Sequence, residues 1–319
     1  MQTNPSKLGP ICACRIELSA AYKISIDKCS FVCTDPNDDQ VDKTCAAIVQ
    51  VVNSGRWLGA FLSPAKRFRH QVSIPIPETG QRALFQFGPK GNNGPAYRTE
   101  INPALLGKSG IERLIDLLDE LLPRGGIQFM RGSTASRVDL ALDVDGYSVN
   151  DVVVRSRKQQ IHGLFSDRNG NPATHYFGRP KNNNTCVYTK PDGDGHQFLR
   201  IERRLKPRCR AIDLPFIKNP FACIQIVHTD ALLPHAGDLN PQHLFDSIRI
   251  RGFSHVLKHL PAAQRKALTA VLKDPHNSLL PPMDEFWTHW PEVLANSGLG
   301  FLLDPDLSVS TSQLSAAAE

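Results

Sequence analysis

The stretch SRVDLALDVDG, residues 136–146, alternates apolar and polar side chains. On a strand, residues two apart share a face. Val138, Leu140, Leu142 and Val144 then form an ordinary core face, and Asp139, Ala141, Asp143 and Asp145 line the other side. An antiparallel sheet with one face on a core reads this way. Three carboxylates along one side repel one another and are costly to desolvate, so the pattern calls for positive charge nearby.

HQFLRIERRLK, residues 196–206, extends the pattern. Read as a strand, it puts Arg200, Glu202, Arg204 and Lys206 on one face, with Ile201 and Leu205 opposite and Arg203 between them. Asp139, Asp143 and Glu202 on neighbouring strands make an oxygen-only donor set, the kind taken by hard divalent cations such as Mg2+ or Mn2+. The same carboxylates equally suit a solvated face, salt-bridged to Arg200 and Arg204. Between the two segments lies NNNTCVYTKP, residues 182–191, where Tyr188 and Lys190 share a strand face. A phenol is a poor nucleophile at its ordinary pKa of about 10. A neighbouring lysine and a metal-polarised phosphate would both help it attack. A half-buried structural tyrosine is the commoner fate of such a residue.

The 319-residue chain is 41% hydrophobic and 21% charged, enough to bury one large or two medium cores. No apolar run approaches the ~20 residues of a membrane helix. The opening MQTNPSKLGP lacks the apolar core of a signal peptide, so the expected location is cytoplasmic. Eight cysteines form no CxxC pair and no zinc spacing, and read as reduced, mostly buried thiols. The net charge of +6 is unevenly placed. Arg203, Arg204, Lys206, Arg208 and Arg210 form one knot, Lys66, Arg67 and Arg69 a second, and Arg155, Arg157 and Lys158 a third. Such knots suit phosphate contact, though any one of them also suits solvated surface.

Outward from the acidic stretch, RIELSA, KISIDKCSFVCT, HQVSIPIP, RALFQFG, ATHYFG and TCVYTK read as strands. KTCAAIVQVVNS reads as a helix stopped at Gly55, and GIERLIDLLDELLP, residues 110–123, is the clearest amphipathic helix. NDVVVRSRKQQI, behind a Ser148 cap, reads as another helix. Beyond residue 211 the pattern is three or four helices. An internal echo runs through the sheet segments. ISIDKCSFVCT, Phe87-Gly88 and Arg98-Thr99-Glu100 recur in order as SRVDLALDVDG, Phe177-Gly178 and Arg200-Ile201-Glu202, with 12 extra residues before Arg200. The expected fold class is α+β. An antiparallel-sheet domain spans residues 11–226, built from related halves at about 11–125 and 126–226. A tail at 1–10 precedes it, and a helical region (227–304) and a disordered tail (305–319) follow.

The order [ST]RxDxAxD, YxG with an R and K/N-rich turn, a short strand containing Y-x-K, and R-x-E-x-x-LK resembles the replication initiators grouped as Rep_trans. These serve rolling-circle plasmids and some filamentous phages, and related relaxases of mobile elements share the pattern. The resemblance covers roughly residues 20–210 and is strongest over SRVDLALDVDG, HYFGRPKNNNTCVYTKP and LRIERRLKP. Family members typically carry R-x-Y-[DEN]-K around the tyrosine, where this chain has Cys186-Val187-Tyr188-Thr189-Lys190.

The resemblance implies an antiparallel-sheet nicking domain: a sequence-specific DNA nicking and joining endonuclease. Tyr188, with Lys190 beside it, would attack a phosphodiester at the origin, forming a 5′-phosphotyrosyl link and releasing a 3′-OH to prime synthesis. Asp139, Asp143 and Glu202 would hold Mg2+ or Mn2+. Lys190, Arg200 and Arg204 would steady the scissile phosphate, and Arg203, Lys206, Arg208, Arg179 and Lys181 would join Arg200 and Arg204 in contacting DNA. The implied partners are origin DNA (a single-stranded or cruciform nick site plus duplex), a host helicase and a second copy of the chain, with no membrane. The chain has no His-hydrophobe-His pair, which sets it apart from nucleases that hold metal with two such histidines.

Two other classes use the same residues. One is a sequence-specific DNA-binding protein without catalysis. The other is a metal-dependent nuclease using water, with Tyr188 structural. Tyr97, directly before Arg98-Thr99-Glu100, is the rival nucleophile.

Overall fold

The computed structural model describes residues 16–303 apart from residues 20, 34–37, 56–58, 92–93, 159–161, 167, 171, 180 and 192–193. The expected tails at 1–10 and 305–319 lie outside the described residues. Strand β1 (Ile16–Ser19) folds back on the long β2 (Tyr22–Cys33). Helix α1 (Asp38–Asn53) leads to β3 (Ala60–Phe61), β4 (Phe68–Ile76), β5 (Gln81–Pro89) and β6 (Tyr97–Ile101). Helices α2 (Pro103–Asp119) and α3 (Gly126–Gly132) precede β7 (Thr134–Asp145), which contains the acidic stretch. Then come β8 (Val152–Ser156), β9 (His162–Ser166), β10 (Pro172–Phe177), β11 (Asn184–Pro191), β12 (Gln197–Leu205) and the short β13 (Cys209–Arg210). Strand β14 (Ile224–His228) introduces α4 (Pro241–Arg251), α5 (Phe253–Leu257), α6 (Ala262–Lys273), α7 (Met283–Trp287) and α8 (Trp290–Leu294).

The architecture is α+β, with a large sheet whose strand pairs are all antiparallel. Its order is β3-β4-β5-β6-β2-β7-β12-β11-β10-β9. The acidic strand β7 is therefore central, between β2 and β12. Val138, Leu140, Leu142 and Val144 face the main core together with Leu114, Leu118 and Met130 from α2 and α3. This is the apolar side that the alternation demands.

The expected helix at 150–161 is not formed at 152–156, which make up β8, paired with β14 in a separate two-stranded ribbon; residues 159–161 lie outside the described residues. Three consecutive valines are stiff at χ1 and favour a pleated backbone. Ser148 caps a turn rather than a helix, its N–H and hydroxyl donating to Asp151 Oδ2 at 2.9 and 2.7 Å.

The C-terminal region is not one helical appendage. The expected boundary at 226/227 falls inside β14. Val153 and Val227 of the ribbon form a second, smaller core with Leu244, Phe253 and Leu268 from α4, α5 and α6. The chain then returns to the main core. Trp290 is 1% exposed, and its indole N–H donates to Leu214 O at 2.9 Å. Gly298 has φ +81°, and a Cβ there would lie 2.9 Å from the Cβ of Ile111, so only glycine lets this segment close onto α2. Among the described residues there is no helix long and apolar enough to cross a membrane, and Cys29, Cys33, Cys45, Cys186, Cys209 and Cys223 form no disulfide.

Candidate functional site

The polar face of the sheet is built by register. On β12 and β7, Arg200 lies opposite Asp143, Glu202 opposite Ala141, and Arg204 opposite Asp139. On β11, Tyr188 lies opposite Arg200 and Cys186 opposite Glu202. One sheet face thus collects the tyrosine, three carboxylates and two arginines without help from any loop.

Asp139, Asp143 and Glu202 each pair with a guanidinium, and Arg200 is shared between Asp143 and Asp27. Asp143 accepts from Arg200 Nε and Nη2 at 2.6 and 2.7 Å, and Arg200 Nη1 donates to Asp27 Oδ2 at 2.8 Å. Asp139 accepts from Arg137 Nε at 2.8 Å and Nη2 at 2.6 Å. Glu202 accepts from Arg204 Nε at 2.7 Å and Nη2 at 3.2 Å. Arg204 also lies over the Tyr176 ring, 6.0 Å from its centroid. Two-pronged pairs of this kind are the strongest neutralisation a side chain offers. They let Arg200 sit at 1% exposure. Asp139 and Asp143 of the opening stretch are therefore ion-paired, and Asp145, at its exposed end, lies against His196.

Two shifts mark the centre of this face. Burial pushes the Tyr188 phenol up to about 12, with the negative charges of Glu202 and Asp27 adding and the nearby Arg200 guanidinium opposing. Tyr188 is thus protonated at neutral pH and must lose its proton to react. Burial and then the nearby Glu202 raise the Asp139 carboxyl, against the pull of Arg137.

Lys190 follows Tyr188 on the same face of β11, opposite Phe198. Lys206 donates its backbone N–H to Asn183 Oδ1 at 2.7 Å and its ammonium to the Lys181 carbonyl. Arg179, Lys181 and Arg208 are exposed. Two expected DNA contacts are placed differently. Arg200 is sealed between Asp143 and Asp27, and Arg203 is 6% exposed on the reverse face, donating to Thr185 Oγ1. Neither is a surface cation: carboxylates draw Arg200 inward, and strand alternation turns Arg203 to the reverse face. Tyr97 is 6% exposed on the core side of β6, its ring 6.2 Å from Phe85 and 6.3 Å from Phe129.

Two members of the face escaped sequence reasoning. Arg137 stands two positions before Asp139 on its own strand, a spacing visible in SRVD. Asp27 belongs to ISID of β2, a pattern as alternating as the acidic stretch, but its partnership with Arg200 depends on a strand 173 positions away. A pocket of about 170 Å3 opens beside Arg137 and Arg204, lined also by Tyr176, Asn182, Asn184 and Lys206.

Among the described residues, no three of His, Cys, Asp and Glu converge as a metal-ligand group. Mg2+ commonly takes only one or two carboxylates, with waters and substrate phosphate completing its shell. Asp139 and Glu202, close enough for one charge to raise the other's carboxyl, fit that requirement. All three carboxylates have both oxygens on a guanidinium, but Arg137 and Arg204 are partly exposed whereas Arg200 is buried, so Asp143 reads as the group that holds Arg200 in place.

No family model matches the chain, and no curated protein matches it. Among solved structures, a likeness is found to DynU16, a protein of the dynemicin biosynthetic locus, at 13% identity. It covers 56% of this chain and 86% of that one with a TM-score of 0.15, too low to bear on fold or function.

Proposed function

We propose that this chain is a rolling-circle replication initiator of the Rep_trans kind, a cytoplasmic enzyme that nicks and rejoins origin DNA through Tyr188. The observation that carries this reading is the register that sets Tyr188 against Arg200, with Glu202 and Asp139 on the same sheet face.

In this mechanism the Tyr188 hydroxyl oxygen attacks the scissile phosphorus. The bond from phosphorus to the 3′ oxygen breaks, the 5′ phosphate stays on the tyrosine, and the 3′ oxygen leaves as a hydroxyl after gaining a proton. The phenolic proton needs an acceptor, and Glu202 is the carboxylate whose charge bears most on Tyr188. Arg200, whose charge already opposes the rise in the Tyr188 phenol, stabilises the charge that develops there. A divalent cation held by Asp139 and Glu202 would polarise the phosphate. Arg137, Arg204 and Lys206 around the neighbouring pocket would receive the adjoining backbone phosphates. Attack by a later 3′-OH reverses the step and closes the strand.

We further read the sheet as two related halves. Outward from the β2–β7 pair, the order is β6, β5, β4, β3 on one side and β12, β11, β10, β9 on the other. Arg98 and Glu100 of β6 then correspond to Arg200 and Glu202 of β12. Gln86 lies opposite Arg98 as Tyr188 lies opposite Arg200. The first half would be a copy without a nucleophile: Gln86 accepts from Arg98 at 2.8 Å, and Glu100 pairs with Lys28 at 2.8 Å. This correspondence matches β5 to β11, whereas the Phe-Gly echo in the sequence matches it to β10.

A DNA-binding protein without catalysis is the second reading, favoured by the full ion pairing of the carboxylates. A covalent adduct between the protein and a single-stranded origin oligonucleotide, formed with Mg2+ or Mn2+ and surviving denaturation, separates the two. Cleavage without adduct would indicate water as the nucleophile.

A further inference from the structure

The reverse face of the sheet carries a second concave site. Phe177 and His175 of β10 point away from Tyr176, which lies under Arg204 on the front. On that reverse side, β8, β9 and the corner between α4 and α5 enclose a cleft of about 390 Å3. Arg155, Arg157, Arg251 and Lys258 line it, with His162 and His255, and no Asp or Glu is among the described lining residues.

This charge differs from that on the front of the sheet. Arginines 98, 137, 200, 204, 210 and 249 each sit on a carboxylate. Among the described residues, the four cations of the cleft have no such partner. Arg157 donates to the Ala222 carbonyl. Arg155 lies with its guanidinium 5.9 Å from the centre of the Phe253 ring, and its Nε is buried with no hydrogen-bond partner. His162 Nδ1 is likewise buried and unpartnered. Arg155 is partly buried with no counter-charge beside it, and an anion in the cleft offsets the cost of that burial. Gly252, at φ +83°, makes the corner possible and brings the backbone against the His162 ring. The cleft is therefore set by packed elements, not by a loop.

We propose that this cleft binds the phosphate of a nucleotide, contributed by a nucleic-acid strand that runs behind the nicking face. Its volume lies within the ordinary range of ligand sites and admits a nucleotide unit. In the bound state His162 presents Nδ1–H to the anion, while its Nε2 accepts from His175 Nδ1 across 3.0 Å. The inference rests on the nucleic-acid reading only for the source of the phosphate. A free nucleoside phosphate offers the same chemistry.

The test uses the full chain and the variant Arg251→Gln/Lys258→Gln, both sites being exposed. Binding of a labelled DNA duplex is followed by fluorescence anisotropy between 50 and 200 mM salt, and binding of ADP by calorimetry. Losing two phosphate contacts should flatten the log–log salt slope by about 2 and weaken duplex binding roughly tenfold or more. Adduct formation on a short single strand carrying only the nick site should be unchanged. If ADP binding is lost in the variant but duplex binding is not, the phosphate comes from a free nucleotide. If the variant matches the unmodified protein in affinity, slope and ADP binding, the proposal is overturned. Adduct formation is scored separately, so loss of the nicking reading and loss of this one are distinguishable.

Discussion

Arg200 shows how much one buried side chain decides. It pairs with Asp143 and Asp27 together and opposes the rise of the Tyr188 phenol. Arg200→Met leaves two carboxylates without their cation and should cost about 3–5 kcal/mol in urea unfolding. Arg200→Met/Asp143→Leu should cost less than the two single changes added together. Simple additivity would mean that the pair is not coupled. The sequence showed that Asp139, Asp143 and Glu202 need cations, and it named Arg200 and Arg204 among the candidates. It could not assign partners, because Arg137 pairs along one strand and Asp27 across the sheet, and only the register separates those cases. His175 gives a second test at this scale. Burial, with His162 and Arg249 nearby, holds its imidazole down to about 4. The unfolded chain binds a proton below its ordinary value of 6.5 that the folded protein refuses until about 4. Stability is therefore full above 6.5 and falls as pH drops towards 4, by about 3 kcal/mol at most from this residue. His175→Gln should flatten the dependence in that window. The same slope in the variant would assign it to other groups, such as His162, whose imidazole burial also lowers.

At the scale of elements, period-two alternation was enough for β7, β12 and β11, and period 3.6 for α2. Their faces are fixed by which side buries apolar groups. It failed at residues 152–156, where three valines in a row alternate with nothing and β-branching outweighed the apparent cap at Ser148. It also failed to place α7 and α8. Their apolar residues fit a helical appendage as well as a returning segment, and only the packing of Trp290 against Leu214 decides. Trp290→Ala should therefore destabilise the whole main core by about 3–5 kcal/mol, in a single unfolding transition. A separate early transition, with the sheet left intact, would instead support a detachable helical region.

Across the whole molecule, the sheet places a tyrosine and its ion-paired neighbours at the centre of one face and an unpaired basic cleft on the other. The strand class was legible in the sequence. The ten-strand order was not, because it rests on pairings between strands far apart in the sequence, such as β2 with β7. The helix-and-ribbon core that forms the cleft was hidden by the helical reading of residues 152–156, since without β8 there is no partner for β14.

The central claim is that Tyr188 is the nucleophile, and intact mass after denaturation tests it most directly. Incubated with Mg2+ or Mn2+ and a single-stranded origin oligonucleotide, the protein should gain the mass of the 3′ fragment, since the tyrosine keeps the 5′ phosphate. Tyr188→Phe removes only a hydroxyl, so folding and DNA affinity should persist while the adduct disappears. An adduct that forms undiminished on the Phe variant would contradict the account.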